Sequence, residues 1–218
     1  MNLFDFNLVT IIANIPALMI GFAFHEFAHA WVADRLGDPT PRSQGRLTLN
    51  PFVHLDLFGT LMALLYRFGW AKPVMTNPHY YRGDKRRGQI MVSLAGSVMN
   101  LIVAFVAMLL WFVTMLWIQG SEWYDIIYLV FESIVYMNLG LGVFNLLPIP
   151  PLDGFGVLGG LLPERFASQL NMVEQYGMII LIVLLFTDIL GKVLSPAVFG
   201  ILLVYQKIIT LLLTPFIG

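Results

Sequence analysis

The chain has 218 residues, of which 58% are hydrophobic and only 11% are charged, and its formal net charge is −1. Soluble globular domains carry about a quarter charged residues, so this composition excludes an ordinary water-soluble fold and indicates a polytopic membrane protein. The small net charge gives no basis for a nucleic-acid partner. Cysteine is absent, so disulfides and thiolate metal sites are excluded, and any metal must be bound by His, Asp or Glu.

The first apolar segment begins close to the N-terminus. Residues 6–24 contain no charged side chain, which matches the length of about 20 residues that a bilayer core requires. No Lys or Arg precedes this segment, so it lacks the basic start of a secretory signal peptide. We therefore expect it to form the first membrane-spanning helix and to continue through His29 toward Ala33.

Four further segments have the length and composition of membrane spans. They cover residues 88–121, 124–147, 176–190 and 196–216, and each has few or no interior charges. We expect Gly191, Lys192 and Pro196 to divide the last two. Together with the first helix, these segments predict an all-α polytopic membrane protein with five full spans.

Segment 52–68 is apolar only around residues 57–66, which is short for a span. Nine basic residues lie between the first helix and residue 88: Arg35, Arg42, Arg46, Arg67, Lys72, Arg82, Lys85, Arg86 and Arg87. A crossing at 52–68 would divide them between the two sides of the membrane, whereas cytoplasmic loops concentrate basic residues. We predict that the segment re-enters, with the N-terminus outside; a sixth short span is the alternative.

The segments on either side of this re-entrant region have the pattern of strands. Residues 44–50 alternate polar and apolar side chains, and residues 70–76 read as a partner or edge strand in which Pro73 disfavours a central position. We predict a small membrane-dipping β element, whose edge is available to pair with another extended segment. His54 and Asp56 are expected to form a hydrated, polar start to the re-entrant segment, with a second metal site as the less favoured alternative.

The first apolar span contains a motif with metal-ligand spacing. Residues 25–29 read His-Glu-Phe-Ala-His, and positions four apart differ by about 40° around a helix, so His25 and His29 point toward one metal ion. Glu26 lies on the flank of this face, where it can take a proton from a metal-activated water. Each ionisable residue at mid-membrane costs on the order of 3 kcal/mol on insertion scales, so three within five residues indicate a functional site.

A third metal ligand must come from elsewhere in the chain, and Asp153 is the best candidate. It follows the third long span, where Pro148, Pro150 and Pro151 interrupt the helix. Irregular backbone at membrane depth is tolerated where it lines a cavity, and Gly154 permits a sharp turn. The alternative is that Asp153 only caps the end of a span at the membrane surface.

The motifs at 25–29 and 145–154, His-Glu-x-x-His and Asn-x-x-Pro-x-Pro-x-Leu-Asp-Gly, resemble the paired motifs of the site-2 protease family of intramembrane zinc metalloproteases. The resemblance extends over about residues 7–155. It implies one Zn²⁺ ion bound by His25, His29 and Asp153, with Glu26 as general base. It also implies the compact branch of the family, which consists of the core without a PDZ or CBS domain.

Two asparagines are further candidates for the site. The family often carries a Gly-Pro-x-x-Asn element on an intervening helix, and here Gly96 and Asn100 are kept while Ser97 stands where proline is usual. The resemblance implies that Asn145, and less directly Asn100, orient the substrate or the oxyanion. For Asn100, an ordinary interhelical hydrogen bond is the alternative.

The resemblance implies a zinc metalloendopeptidase that cleaves within or near the transmembrane segment of a single-span membrane protein, as in regulated intramembrane proteolysis. We expect one membrane-embedded domain over residues 1–218, with the catalytic core at about 7–155 and C-terminal helices at about 176–216. The expected location is a prokaryotic cell membrane, with the site nearer the cytoplasm, and the oligomeric state stays open. The alternatives are a divalent-metal transporter, which has no need for a base at Glu26, and an inactive membrane scaffold of the same fold.

Overall fold

The computed structural model describes residues 8–66, 69–187 and 189–217. Its α-helices in chain order are α1 (Leu8–Arg35), α2 (Thr40–Ser43), α3 (Pro51–His54), α4 (Leu57–Tyr66), α5 (Lys85–Trp117), α6 (Tyr124–Asn145), α7 (Asp153–Leu161), α8 (Ala167–Leu185) and α9 (Ile189–Ile217). Short 3-10 turns cover Pro78–Tyr80 and Glu164–Phe166.

Five of these helices, α1, α5, α6, α8 and α9, are long and apolar enough to cross a membrane. The predicted all-α polytopic fold with five spans is therefore confirmed, and the protein is an integral membrane protein. The predicted start of the first span at Phe6 lies outside the described residues.

The predicted limits of the last two spans were wrong. The fourth helix begins at Ala167, and the fifth includes Gly191, Lys192 and Pro196, so the two helices separate between Leu185 and Ile189. The apolar pattern missed the polar residues at the start of α8, which continue its backbone hydrogen bonding, and it placed the break between the two helices at residues that lie inside α9. Proline is tolerated inside a membrane helix, where neighbouring groups and local adjustments compensate for the lost hydrogen bond.

Small residues allow α1, α5 and α6 to pack closely around one core. Ala17 on α1 and Ala104 on α5 have no exposed surface, and neither has Val135 on α6. A β-carbon at Gly142 on α6 would lie only 3.1 Å from the carbonyl oxygen of Ser97 on α5. Membrane helices associate through such close backbone approaches because lipid provides no hydrophobic driving force between them. Helix α9 joins the same core through Leu202 and Ile209.

Helix α4 is too short to cross a bilayer. Its ten residues measure about 15 Å, which is half of the roughly 30 Å hydrocarbon core. Ala63 packs against Leu18 and Phe22 of α1, while Leu57 and Phe58 are largely exposed. These features favour the predicted re-entrant segment over a sixth span, although the predicted end of that segment at 67–68 lies outside the described residues.

The predicted β element is not formed as expected. No strand occurs within residues 8–66, 69–187 and 189–217, where the one isolated bridge pairs Leu55 with Ala71 in antiparallel orientation. The polar and apolar side chains of residues 44–50 alternate, but their burial does not follow this alternation, because Arg46 is buried and Leu49 is exposed. The Arg46 guanidinium donates to the carbonyl oxygens of Lys72 and Pro73, so a side chain rather than a sheet organises segment 69–76.

Candidate active site

Three potential metal ligands converge where the first residue of α7 meets the C-terminal half of α1. The Nε2 atoms of His25 and His29 are 3.1 Å apart, and they lie 3.2 and 3.3 Å, respectively, from Oδ2 of Asp153. Ligands placed at about 2.0–2.1 Å around a tetrahedral zinc ion are separated by about 3.3–3.4 Å. The three atoms therefore form a triangle of the size that one such ion requires.

The hydrogen bonds of the two rings leave their Nε2 atoms as acceptors. Nδ1 of His29 donates to the carbonyl oxygen of Val92 at 2.7 Å, and Nδ1 of His25 donates to Oδ1 of Asn100 at 2.6 Å. A neutral imidazole with its proton on Nδ1 carries a lone pair on Nε2. Two such lone pairs and the carboxylate then face one another. A proton on Nε2 of either ring would still leave the lone pairs of the other two atoms facing each other. A bound cation would remove this repulsion, so the donor set fits a metal ion.

Asp153 is brought to the two histidines by a glycine. The chain leaves α6 at Asn145, and α7 begins at Asp153 itself. A β-carbon on Gly154 would lie 2.2 Å from the carbonyl oxygen of Leu146 and 2.4 Å from that of Leu147. Gly154 is therefore needed for a close backbone approach. The proline-rich turn predicted from the sequence does separate the two helices.

A second glycine allows α5 to approach the metal ligands. A β-carbon on Gly96 would be 2.4 Å from Nε2 of His29 and 2.5 Å from Cε1 of His25. Any side chain at this position would therefore displace the imidazoles. This contact gives a physical reason for the glycine in the element predicted at 96–100. The neighbouring Ser97 is fully buried, and its hydroxyl has no hydrogen-bond partner among the described residues.

Glu26 is held by the backbone of segment 69–76. Its Oε2 accepts a hydrogen bond of 2.8 Å from the amide of Val74, and the side chain is almost completely buried. The same segment is fixed on its other side by two groups: the Lys72 amide donates to the carbonyl oxygen of His54 at 2.7 Å, and Arg46 donates to the carbonyl oxygens of Val53, Lys72 and Pro73. The irregular segment thus positions the carboxylate without a sheet.

The candidate ligands and Glu26 line one cavity of about 640 Å³. Its polar side chains include the three candidate ligands, Glu26 and Asn145, and most of its wall is apolar. Segment 69–76 forms part of one wall, and Met178, Leu181 and Ile182 of α8 form part of another. A largely apolar cavity with a few convergent polar groups is typical of a binding site.

The two candidate asparagines have different positions. Asn145 lines the cavity and donates from Nδ2 to the carbonyl oxygen of Leu141 at 3.0 Å. Asn100 has no exposed surface and lies behind His25, where it accepts the Nδ1 proton. This location favours the interhelical hydrogen bond, which was the alternative for Asn100, over direct contact with a substrate.

His54 and Asp56 lie outside the cavity lining. His54 is fully buried and donates from Nε2 to the carbonyl oxygen of Thr48 at 2.8 Å. Burial lowers the pKa of His54 below its ordinary value, and the positive charge of Arg46 lowers it further. Asp56 accepts from the amide of Gly59 at 2.8 Å at the start of α4. Both side chains thus have the local hydrogen-bonding roles predicted for them, but the complete burial of His54 contradicts the predicted hydration of this residue.

Sequence reasoning missed three groups that hold the site: Arg46, the amide of Val74 and Asn138. Asn138 on α6 is fully buried and accepts from Nδ2 of Asn100. An amide inside the otherwise apolar span at 124–147 was a usable signal for Asn138, because a polar side chain there needs a partner on another helix. No comparable signal existed for the Val74 amide, since the sequence does not display backbone contacts.

Comparison with known proteins defines the class. The sequence profile described as Peptidase family M50 matches residues 114–187, a region that includes Asn145 and Asp153. A protein of Bacillus subtilis named “Putative zinc metalloprotease YwhC” is 40% identical over 186 residues, which cover 84% of each chain. The protein therefore belongs to peptidase family M50, the site-2 protease family.

More distant relatives carry the same description. Rip2 of Mycolicibacterium smegmatis is 33% identical over 186 residues, covering 82% of this chain and 68% of the relative. MJ0611 of Methanocaldococcus jannaschii is 30% identical over 155 residues, covering 71% of this chain and 73% of the relative. No solved structure matches the chain.

Proposed function

We propose that the protein is an intramembrane zinc protease that cleaves single-span membrane proteins. The observation that carries this proposal is the convergence of three lone-pair atoms from His25, His29 and Asp153 within 3.3 Å of one another. The named relatives are described as zinc metalloproteases, and the donor set of two imidazoles and one carboxylate suits one Zn²⁺ ion.

The three ligands would hold the metal, and Glu26 would carry out the proton transfers. Zinc in such a three-ligand site keeps a fourth position open and lowers the pKa of a water there to about 7. Glu26 takes a proton as water attacks the peptide carbonyl and then gives a proton to the leaving amine nitrogen. The Val74 amide holds Oε2 of Glu26, so the carboxylate keeps one orientation while Oε1 exchanges the proton.

We expect a substrate that is apolar, to match the largely apolar cavity wall, and locally unwound. A peptide bond within a helix has its carbonyl covered by hydrogen bonding, so the substrate must become extended before attack. We propose that the extended stretch lies beside segment 69–76, which lines the cavity, and that Asn145 orients the scissile carbonyl. Pairing with this segment does not require a preformed sheet, because its backbone is already held in place by Arg46.

The position of the candidate ligands on α1 supports a proposed membrane orientation. His29 lies six residues, or about 9 Å along a helix, from the basic end of α1 at Arg35. Basic residues favour the cytoplasmic side, so we place the site nearer the cytoplasm of a prokaryotic cell, in agreement with the bacterial and archaeal relatives. We propose that residues 1–218 act as one membrane-embedded domain, since α9 shares its core with α1 and α5.

Purified protein reconstituted with a panel of single-span substrates tests this function. Glu26→Gln should keep zinc content and lower cleavage by about 10²–10⁴-fold, because only the general base is lost. Asp153→Asn should lower both zinc content and cleavage. Cleavage by Glu26→Gln at the parent rate would contradict the mechanism.

The same preparation separates the two alternative functions. A divalent-metal transporter would move zinc across the vesicle membrane, and this flux would survive Glu26→Gln. A scaffold would bind the substrate spans and leave all of them intact with zinc present.

A further inference from the structure

Two buried side-chain amides connect α5 and α6 behind the metal ligands. Asn100 and Asn138 both have no exposed surface. A carboxamide without partners in an apolar interior is strongly unfavourable, so buried amides are expected to use their hydrogen-bonding capacity. Neither residue lines the cavity, so any contribution to the chemistry must pass through another side chain.

The direction of every hydrogen bond in this pair is determined by main-chain carbonyls, which can only accept. Nδ2 of Asn138 donates to the carbonyl oxygen of Ile134 at 2.9 Å, so Oδ1 of Asn138 is the atom that faces Asn100. Nδ2 of Asn100 donates both to this Oδ1 at 2.9 Å and to the carbonyl oxygen of Gly21 at 3.0 Å. Rotating either amide by 180° would place oxygen against oxygen.

The fixed orientation of Asn100 determines the tautomer of His25. With both Nδ2 protons committed, Asn100 presents Oδ1 to the imidazole at 2.6 Å. Nδ1 of His25 must then carry the proton, and the lone pair of Nε2 points toward Asp153. His29 reaches the same state through one carbonyl, that of Val92. Both histidines therefore carry their proton on Nδ1, but a side chain holds His25 in this tautomer and a main-chain carbonyl holds His29. The tautomer of His25 depends on helices α5 and α6.

We propose that Asn138 is a positioning residue for the metal centre, acting through Asn100 to hold His25 with its proton on Nδ1. This inference rests on the proposed zinc-protease function. Partners of metal-bound histidines generally contribute 10–100-fold to metal affinity. Asn138 is one side chain further away: it bonds to Asn100, the partner of His25, and it contacts neither the cavity nor the ligands.

The test measures the metal centre without relying on cleavage. In a Glu26→Gln background, the zinc dissociation constant is measured by chelator competition, and the visible absorption of the Co²⁺-loaded protein reports ligand geometry. Asn138→Leu should weaken zinc binding by about 10–100-fold and change the Co²⁺ spectrum. Asn138→Asp should keep the zinc dissociation constant and the Co²⁺ spectrum near the parent values, because a neutral buried carboxyl donates to Ile134 and accepts from Asn100 as the amide does.

Ser97→Ala is the matched control. Ser97 lies on α5 beside Gly96, is as buried as Asn138, and has a hydroxyl without a described partner, so its loss should leave zinc affinity and spectrum unchanged. If Asn138→Leu does not fold, Asn138→Ala gives the same comparison.

Parental zinc affinity and spectrum in a folded Asn138→Leu or Asn138→Ala protein would overturn the inference while leaving the proposed function intact. If the parent protein itself binds no zinc and cleaves no substrate, the proposed function fails instead.

Discussion

The two sides of the cavity order their polar groups in different ways. On the side of α1, α5 and α6, regular helices position the candidate metal ligands His25 and His29, and Asn100 and Asn138 hold His25 through side-chain hydrogen bonds. On the side of segment 69–76, the backbone is irregular, and the buried Arg46 fixes it by donating to main-chain carbonyls.

This difference predicts that metal binding and catalysis can be separated by mutation. The helical side is sensitive to volume at its close contacts, such as the one between Gly96 and the two imidazoles, where an added β-carbon does not fit. The irregular side is sensitive to the loss of hydrogen-bond donors, because its conformation depends on a few of them. Changes on the first side should lower zinc affinity and cleavage together, whereas changes on the second should lower cleavage alone.

Among the variants that test this comparison, the largest effect on zinc affinity is expected from Gly96→Ala. The new methyl group would occupy the space of the two imidazoles, and overpacking of this kind costs about 1–3 kcal/mol. Zinc affinity should therefore fall by roughly 5–150-fold, with cleavage reduced at least as much. Gly140→Ala on α6 is the control, because a β-carbon there meets no atom within 4 Å. Unchanged zinc affinity in Gly96→Ala would show that α5 is more distant from the ligands than described.

An intermediate effect is expected from Arg46→Met, which tests the irregular side. The substitution removes the charge-assisted hydrogen bonds from Arg46 to the carbonyls of Lys72 and Pro73, and a hydrogen bond to a charged group contributes about 1.5–3 kcal/mol. Segment 69–76 should loosen and release Glu26 from Val74, so cleavage should fall by about tenfold or more while zinc affinity stays within about twofold of the parent value.

Arg87→Met is the control for Arg46→Met, since the Arg87 side chain is largely exposed. Turnover and zinc content measured on the same preparation decide the outcome. Equal losses of zinc and cleavage in Arg46→Met would mean that the two sides of the cavity are not independent.

The smallest effect is expected from Asp56→Ala. Loss of its hydrogen bond to the Gly59 amide removes a helix cap, at a cost of about 0.5–2 kcal/mol in the free energy of unfolding. Zinc stoichiometry and cleavage should not change, because Asp56 does not line the cavity. A fall from two zinc ions per chain to one would instead support the second metal site that the sequence left open.

The sequence was most informative where local pattern and chemistry coincide. Spacing within one helix was sufficient to pair His25 with His29, and the proline-interrupted motif pointed to Asp153. The apolar segments predicted five spans, although the starts of α8 and α9 were predicted too late, because helical hydrogen bonding includes the polar residues at the start of α8 and also Gly191 and Lys192 in α9.

Contacts between distant parts of the chain were not predictable in the same way. Asn138 meets Asn100 across 38 positions, and Arg46 meets Lys72 across 26. An isolated arginine near the membrane surface reads as a cytoplasmic loop residue, and nothing in its neighbours indicates burial against backbone carbonyls. The alternation of residues 44–50 favoured a strand, but a local pattern does not show which distant segment will contact it, so the prediction was wrong.

The short length of α4 affects how water, the second reactant in hydrolysis, reaches the site. Hydrolysis consumes one water molecule for each bond cut, and hydrocarbon provides almost none. Helix α4 is long enough for only about half of the bilayer, and it is followed at Gly69 by non-helical chain that lines the cavity; backbone of this kind is stable at membrane depth only where protein or solvent satisfies it. The short helix would thus give the proposed reaction a route for water beside segment 69–76, so that turnover need not wait for water to cross lipid.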